Sequence, residues 1–585
     1  MKKLFNLLDK KLQTFTLFLM FLVLISMALE LMSIALVIPA VAFFFDDSIS
    51  RDFPTLYEFL ITISPLRFFE NSVSFTDYQL ALFGGLLLIF LIFLIKTLFL
   101  IYFLYLQHLF TNRLRVYLST KLLRGYINQP YSFFLLKNSS DLKRYVLSEA
   151  GNVVGTSFVL IQMVSEYFVL IAFSIFLLFN YFVPSTIVIT LLVGLAIFYY
   201  FFGKEKLYEY GSNNHALEEK RFRFIQEIFG GIKTIKVFGL EKFFNKRFYE
   251  SEKFQAGEIL KYNLINALPR VLFEIVIIIC LVTFIISFNF LGYSPQETLS
   301  ALGVFLVASL RLMPSFNKLL IGHQTLKFQQ KTINKVTSEL INNTQNEKFN
   351  NLNESLRKKI VFERDIIVRD VSLKFLNRKE IFKNINLKIK KNEFIGISGE
   401  TGSGKSSLIN LIIGLIKPNE GKILIDGKDL NFSNSSWHKQ IGYVSQVLHF
   451  LDDTLKNNIA YGVEENEIDH YKIEECLRLS QLDKLVSKLD RKTETMIGEN
   501  ALRLSGGERK RIGIARALYL KPSILILDEP TNELDKITED KILNLLGKLK
   551  SKMTIIIISH KINSFKYCDK IFKIENKKII EEIKS

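Results

Sequence analysis

Gly399-Glu400-Thr401-Gly402-Ser403-Gly404-Lys405-Ser406 is a run of small residues that closes on a lysine and a serine. Small side chains let successive backbone N–H groups turn toward an anion at a helix N-terminus. Lys405 adds a point charge for β- and γ-phosphates, and Ser406 a hydroxyl suited to Mg²⁺. The flanks supply the required context, because residues 394–398 read as a buried strand and the stretch from Ser407 to Ile413 opens a helix. Further along, Leu504-Ser505-Gly506-Gly507-Glu508 is a second glycine-opened helix start of the same kind. Two such anion-binding helix ends in one chain imply two surfaces closing on one nucleotide.

Around these stretches the apolar pattern is one of short β-rich runs, at residues 385–389, 394–398, 422–425, 441–444, 524–527 and 554–559, several of them separated by helical stretches. Strands alternating with helices predict a mostly parallel α/β sheet. The run Ile524-Leu525-Ile526-Leu527 ends in Asp528 and Glu529. A buried strand that delivers two adjacent carboxylates beside a phosphate cradle places Asp528 to hold Mg²⁺ through its waters, and Glu529 to orient and deprotonate an attacking water.

The chain has 585 residues, enough for two or three domains, and its composition is split. Phenylalanine occurs 53 times and tryptophan once, and most of this apolar weight precedes residue 325. Mean hydropathy is +0.23, high for a soluble protein. Long apolar runs fall at residues 15–45, 78–110, 155–181, 184–203, 267–291 and 298–321. A bilayer core needs roughly 20 helical residues, so six spanning helices are predicted. Met1-Lys2-Lys3 precedes the first run, which is too long for a signal peptide and reads as a first membrane helix. Residues 46–77 are acidic, whereas 111–150 carry Arg113, Arg115, Lys121, Arg124, Lys137, Lys143 and Arg144 against Asp141 and Glu149. Basic loops stay in the cytoplasm, which puts both termini inside and explains the net charge of +18 without nucleic acid. Three scattered cysteines exclude a disulfide framework. Within the outer loop Leu56, Phe59, Leu60 and Ile63 share one helical face, predicting a short amphipathic helix near 54–65.

The glycine loop and the Leu504–Glu508 stretch together resemble the Walker A and signature motifs of the ATP-binding cassette (ABC) family, and with the apolar runs the chain resembles a bacterial exporter half-transporter. The resemblance implies an all-α six-helix transmembrane domain over residues 1–325, a linker over 326–362, and an α/β P-loop ATPase domain over 363–585. It implies ATP and Mg²⁺ as ligands, with Gly399 to Ser407 around the phosphates and Ser406, Gln446 and Asp528 at the metal. Gln446, after its own strand, matches the glutamine that senses Mg²⁺, and His560 matches the switch histidine at the γ-phosphate. Phe375 matches the aromatic that stacks on adenine. Asp535 is retained in a stretch, Asn532-Glu533-Leu534-Asp535, that departs from the usual Ser-Ala-Leu-Asp; the signature also ends in Glu508 where glutamine is commoner. In the family, Ser505, Gly506 and Gly507 complete the site of a second subunit, so the resemblance implies a homodimer. Residues 227–239 are similar to an intracellular coupling segment.

Six ionisable residues stand in or beside apolar runs: Glu30, Lys96, Arg270, Glu274, Arg311 and Lys318. Four cations against two anions predict a positive cavity for an anionic substrate, although Glu30 and Lys96 are also placed to neutralise each other. The stretches Ala267-Leu268-Pro269-Arg270 and Arg311-Leu312-Met313-Pro314-Ser315-Phe316-Asn317-Lys318 resemble the PglK-type flippases that move polyprenyl-pyrophosphate-linked oligosaccharides outward. That resemblance implies an ATP-hydrolysing translocase in the bacterial inner membrane, its cargo held by Lys96, Arg270, Arg311 and Lys318. A lipid A-type flippase and a peptide or multidrug exporter are the alternatives.

Overall fold

The computed structural model describes residues 5–6, 8–35, 54–69, 75–180, 182–290, 292, 295–355, 360–374, 380–430, 435–498, 504–532 and 534–582. The chain divides into two compact units, Met1–Gln129 with Lys137–Glu347 and Pro130–Leu136 with Lys348–Ser585.

The first unit is built on long helices: α1 (Lys10–Ala35), a short α2 (Pro54–Ile63), α3 (Asp77–Ile127), α4 (Ala150–Asn180), α5 (Phe182–Gly230), α6 (Glu241–Phe290), α7 (Pro295–Phe328) and α8 (Gln330–Ser355). As far as they lie within the described residues, the six apolar runs fall one each in α1, α3, α4, α5, α6 and α7. At about 1.5 Å per residue, the 51 residues of α3 extend more than twice a bilayer core of about 30 Å. The helices therefore run on past their apolar runs into their basic stretches. Among the described residues, Lys10–Ser33, Asp77–Ile127, Ser139–Phe179 and Glu241–Phe290 are long and apolar enough to cross a membrane. Many side chains of the runs at 184–203 and 298–321 lie outside the described residues.

Helix α3 starts at a capping box in which Gln79 N–H donates to Thr76 Oγ1 at 3.3 Å and Thr76 N–H to Gln79 Oε1 at 3.1 Å. The predicted amphipathic helix is α2. It packs Leu60 against Ala81 of α3, where a Cβ on Gly84 would come within 1.9 Å of the Leu60 carbonyl oxygen. That close approach makes α2 a cap on the helices beneath it.

Below the apolar run of α4 the short helix Ser139–Arg144 passes through a π-helical turn, Tyr145–Glu149. Arg144 and Glu149 are both fully buried there and joined at 2.6 Å, with His215 Nε2 of α5 at 2.9 Å from Glu149 and Glu219 at 3.3 Å from Arg144. Isolated, each charge would be expensive to bury; the network makes the burial tolerable and fixes how this turn meets α5. The polar segment read as a linker is mostly α8. Its Ile333, Val336 and Leu340 are buried at helical spacing, a stripe too narrow to stand out against its Asn, Lys and Glu content.

In the second unit β1 (Asp365–Lys374), β2 (Glu380–Lys390), β4 (Glu420–Ile425) and β5 (Lys428–Asp429) form an antiparallel sheet in the order β2-β1-β4-β5. A second sheet runs β10-β9-β3-β8-β7-β6, from β3 (Phe394–Gly399), β6 (Ile441–Val444), β7 (Ile524–Asp528), β8 (Thr554–Ile558), β9 (Lys570–Glu575) and β10 (Lys578–Glu582). It is parallel except for the β9–β10 pair. Every residue of β7 and β8 is buried, as a parallel strand covered on both faces must be. Leu525, Leu527, Ile555 and Ile557 face one core, and Ile524, Ile526, Ile556 and Ile558 face the other. Helices α9 (Lys405–Ile413), α10 (Gly506–Tyr519) and α11 (Lys536–Leu549) pack around this sheet. The lone tryptophan, Trp437, is fully buried and donates from Nε1 to the Ile412 carbonyl at 3.0 Å.

Candidate functional site

Parallel sheets bind ligands beyond the carboxyl ends of their strands, and four neighbouring strands here end in the residues singled out from the sequence. The glycine loop follows β3, Gln446 follows β6, Asp528 and Glu529 close β7, and His560 follows β8.

The loop between β3 and α9 needs its glycines. Gly402 and Gly404 have φ of 85° and 104°, and a Cβ on Gly404 would meet Ile381 Cγ2 at 2.6 Å. Lys405 curls back over the loop, donating from Nζ to the carbonyls of Gly399 and Glu400 at 2.8 Å each. Ser403 Oγ is buried without a hydrogen-bond partner. An orphaned hydroxyl, a basic side chain held only by carbonyls and a left-handed cradle at a helix N-terminus fit a polyphosphate. A polar cavity of about 780 Å³ lies over Glu400, Thr401, Gly402 and Ser403, with Lys573 of β9 and Asn576 and Lys577 of the β9–β10 turn also lining it. Ser406 is exposed and Ser407 half-buried in the first turn of α9.

Glu529 sits just past β7 with φ of 49°, an unfavourable conformation for a non-glycine residue that aims its carboxylate across the strand ends. Gln446 Nε2 donates to Glu529 Oε2 at 2.7 Å, Asn532 Nδ2 donates to the same oxygen at 2.6 Å, and His560 Nδ1 stands 3.7 Å from Oε1. Two amides on one oxygen leave the other directed toward the histidine. Asp528 is buried beside it, and burial, then the Glu529 charge, raise its carboxyl above the usual carboxylate range. Tyr443 of β6 bonds to Asp528, and its hydroxyl is pushed up to about 12 by burial and by that carboxylate. Two adjoining acids, one dry, are a donor set that a divalent cation relieves, and Mg²⁺ characteristically takes one or two carboxylates with waters and phosphate oxygens.

The signature residues open α10. Ser505 and Glu508 form a capping box, with Ser505 N–H donating to Glu508 Oε2 at 2.8 Å and Glu508 N–H to Ser505 Oγ at 3.3 Å. Gly506 and Gly507 are the first helical residues. Asp535 caps α11, accepting from Thr538 N–H at 3.1 Å, and hydrogen bonds from the Thr538 side chain and then from its backbone N–H hold the carboxyl below the usual range. Phe375 and Glu533 lie outside the described residues.

Sequence reasoning missed Asn532, Tyr443 and Lys510. Lys510 Nζ donates to the Gln446 carbonyl at 2.6 Å and ties α10 to the glutamine segment. The Ser505-x-x-Glu508 spacing was itself a capping-box signal.

In the first unit two of the four basic residues assigned to cargo have described side chains, and each of these meets a carboxylate. Lys96 of α3 pairs with Glu30 of α1 at 3.6 Å and donates to Ser33 Oγ at 3.1 Å. Lys318 of α7 pairs with Glu166 of α4 at 2.7 Å, and Glu166 also accepts from Ser315 Oγ at 2.6 Å. Glu166, a buried acid of α4, corrects the expected balance of four cations against two anions: with it three anions stand against the four cations, and it is the partner of Lys318. The side chains of Arg270 and Arg311 lie outside the described residues.

Comparison with known proteins agrees with this architecture. Residues 16–316 match the ABC transporter transmembrane region, and residues 382–532 match the ABC transporter ATPase model. The first match spans more than half of the chain, which belongs to the ABC transporter family. An ATP-dependent lipid A-core flippase of Cupriavidus metallidurans is 27% identical over 463 residues, 78% of this chain and 76% of that protein. A flippase of the same description from Salmonella typhimurium is 39% identical over 219 residues, 37% of this chain and 38% of that protein. The relatives matched at 38–40% identity are thus covered over little more than a third of their length. A solved bacterial Atm1-family ABC exporter with ATP bound superposes with a TM-score of 0.75 at 19% identity, over 98% of this chain and 95% of the other, and shares the fold.

Proposed function

We propose that this chain is an ATP-driven exporter that works as a homodimer in a bacterial inner membrane and moves an anionic glycolipid outward. The observation that carries the reading is the convergence on Glu529, a carboxylate oriented by Gln446 and Asn532 beside buried Asp528, at the edge of the sheet that also presents the glycine loop. Lys405 exchanges the Gly399 and Glu400 carbonyls for β- and γ-phosphate oxygens. Ser406, Asp528 and Gln446 are the donors for Mg²⁺, which supplies charge neutralisation when bound. Glu529 orients a water and takes its proton, and His560 contacts the γ-phosphate. Phe375 stacks on adenine. In this reading Ser505, Gly506, Gly507 and Glu508 of one subunit complete the site held by Gly399 to Ser407 in the other, with Asp535 near the seam.

For the cargo, the finer reading is a polyprenyl-pyrophosphate-linked oligosaccharide, supported by the motif resemblance around Arg270 and Arg311. Lys96 and Lys318 each have a carboxylate partner, so a pyrophosphate held by Lys96, Arg270, Arg311 and Lys318 competes with Glu30 and Glu166 for the two lysines. A lipid A-type glycolipid is the second reading, supported by a lipid A-core flippase matched over 76% of its length. The test is ATPase stimulation in reconstituted vesicles by a panel of glycolipids. Stimulation by a pyrophosphate-linked glycan above lipid A supports the first, the reverse order supports the second, and no stimulation by either removes glycolipid as the cargo class.

A further inference from the structure

A cavity of about 290 Å³ opens where α1, α3 and α4 meet, walled by Met20 and Val23, Phe110 and Leu114, and Leu160 and Val164. Its two hydroxyl-bearing wall residues are turned inward to their own helices: Thr16 Oγ1 donates to the Leu12 carbonyl at 2.8 Å and Ser157 Oγ to the Val153 carbonyl at 2.9 Å. The wall therefore offers a ligand nothing but apolar contact. Phe5 and Leu8 close one side, held there by Gln13 Nε2, which donates to both of their carbonyls at 3.1 Å.

The surroundings of the cavity are charged, and mostly of one sign. Phe110 and Leu114 stand where α3 leaves its apolar run for the exposed Arg113 and Arg115, and α1 enters this level from the exposed Lys10 and Lys11. The Arg113 guanidinium lies 5.5 Å from the centre of the Phe15 ring, which itself packs edge-on to Phe110 at 5.6 Å. Asp9 is the acid facing this group of cations, and Tyr117 is bonded to it. By the distribution of basic loops this is the cytoplasmic level of the membrane.

We propose that the cavity holds one acyl chain of an anionic phospholipid from the cytoplasmic leaflet, with its head group against Arg113, Lys10 and Lys11. The volume lies at the small end of ligand pockets, roughly 300–1,000 Å³, and suits a single chain rather than a whole lipid. Exposed cations on the two helices that supply Met20, Val23, Phe110 and Leu114 to its wall select an anionic head group by charge complementarity. None of the residues assigned to cargo lines this space, so the proposal rests on membrane embedding and not on what is exported.

Full-length protein in nanodiscs of mixed phosphatidylglycerol and phosphatidylcholine, transferred to detergent and weighed by native mass spectrometry, tests it. The wild type should retain phosphatidylglycerol in preference to phosphatidylcholine. Val164→Trp, which fills the cavity, should lower retention about tenfold. Arg113→Gln, at an exposed position, should keep lipid binding but reduce the preference for phosphatidylglycerol about fivefold. Absence of retained phospholipid from the wild type, equal retention of both lipids, or undiminished retention by a folded Val164→Trp protein would each overturn the assignment. If Val164→Trp does not fold, an unchanged lipid preference in Arg113→Gln overturns it alone.

Discussion

In the proposed mechanism the chemistry turns on Glu529. Its left-handed backbone and its two amide partners fix one oxygen and leave the other near His560, an arrangement compatible with the proton acceptor proposed for it. Glu529→Gln should retain ATP binding and lower ATPase activity by at least about 100-fold, checked by nucleotide-binding and phosphate-release assays. Lys405→Ala should instead lose nucleotide affinity. Asp528 makes an opposite trade. Its carboxyl is raised in the folded state by burial and by Glu529, so ionisation costs stability. That cost is absent below the unfolded value, grows as pH rises toward the folded value, and is complete above it. Near neutral pH, Asp528→Asn should raise the melting temperature of the nucleotide-free protein, by about 2–4 °C for each ~1 kcal/mol relieved, while Mg²⁺-dependent hydrolysis is lost. The stabilisation should fade as the melts are repeated at lower pH; a constant gain would point to a different cause.

At the scale of elements, the close approach of α2 to α3 is set by one missing side chain. Gly84→Ala would drive a methyl into the Leu60 carbonyl, so it should detach α2 and expose the Tyr57 and Ile61 surface to protease, leaving the ATPase domain's nucleotide binding unchanged. Limited proteolysis reads this directly. The strand–loop–helix of the phosphate cradle, the carboxylates at the end of β7 and the outer helix were legible because each is written in contiguous residues. A partner from a distant segment was not: Lys510 reaches the Gln446 carbonyl from α10, whereas Asn532, only three residues beyond Glu529, stood in the sequence as no more than a departure from the usual motif. Helix α8 was obscured for a different reason, since its buried stripe of Ile333, Val336 and Leu340 is diluted by polar residues that solvate its other faces. The capping box of Ser505 and Glu508 was readable from spacing, yet its glycines drew attention to anion binding instead.

At the scale of the whole molecule, the pairing of Lys318 with Glu166 separates charge used for structure from charge offered to a cargo. Lys318→Ala removes the cationic partner of a buried carboxylate and should lower detergent stability; adding Glu166→Gln should restore it. Transport per folded molecule in the double variant then reports what Lys318 does beyond holding Glu166. The proposed homodimer has its own signature: mixing Ser505→Arg and Lys405→Ala chains would create one intact composite site, and activity regained in the mixture would place the two motifs of a site on different subunits. The account as a whole rests on ATP driving a glycolipid outward. Its most direct test is the outward movement of a pyrophosphate-linked glycolipid and of lipid A in proteoliposomes, with wild-type and Glu529→Gln proteins in parallel. ATP-dependent translocation of at least one of them by the wild type, and of neither by Glu529→Gln, is the predicted result. Vigorous ATP hydrolysis by the wild type with neither glycolipid moved would contradict it.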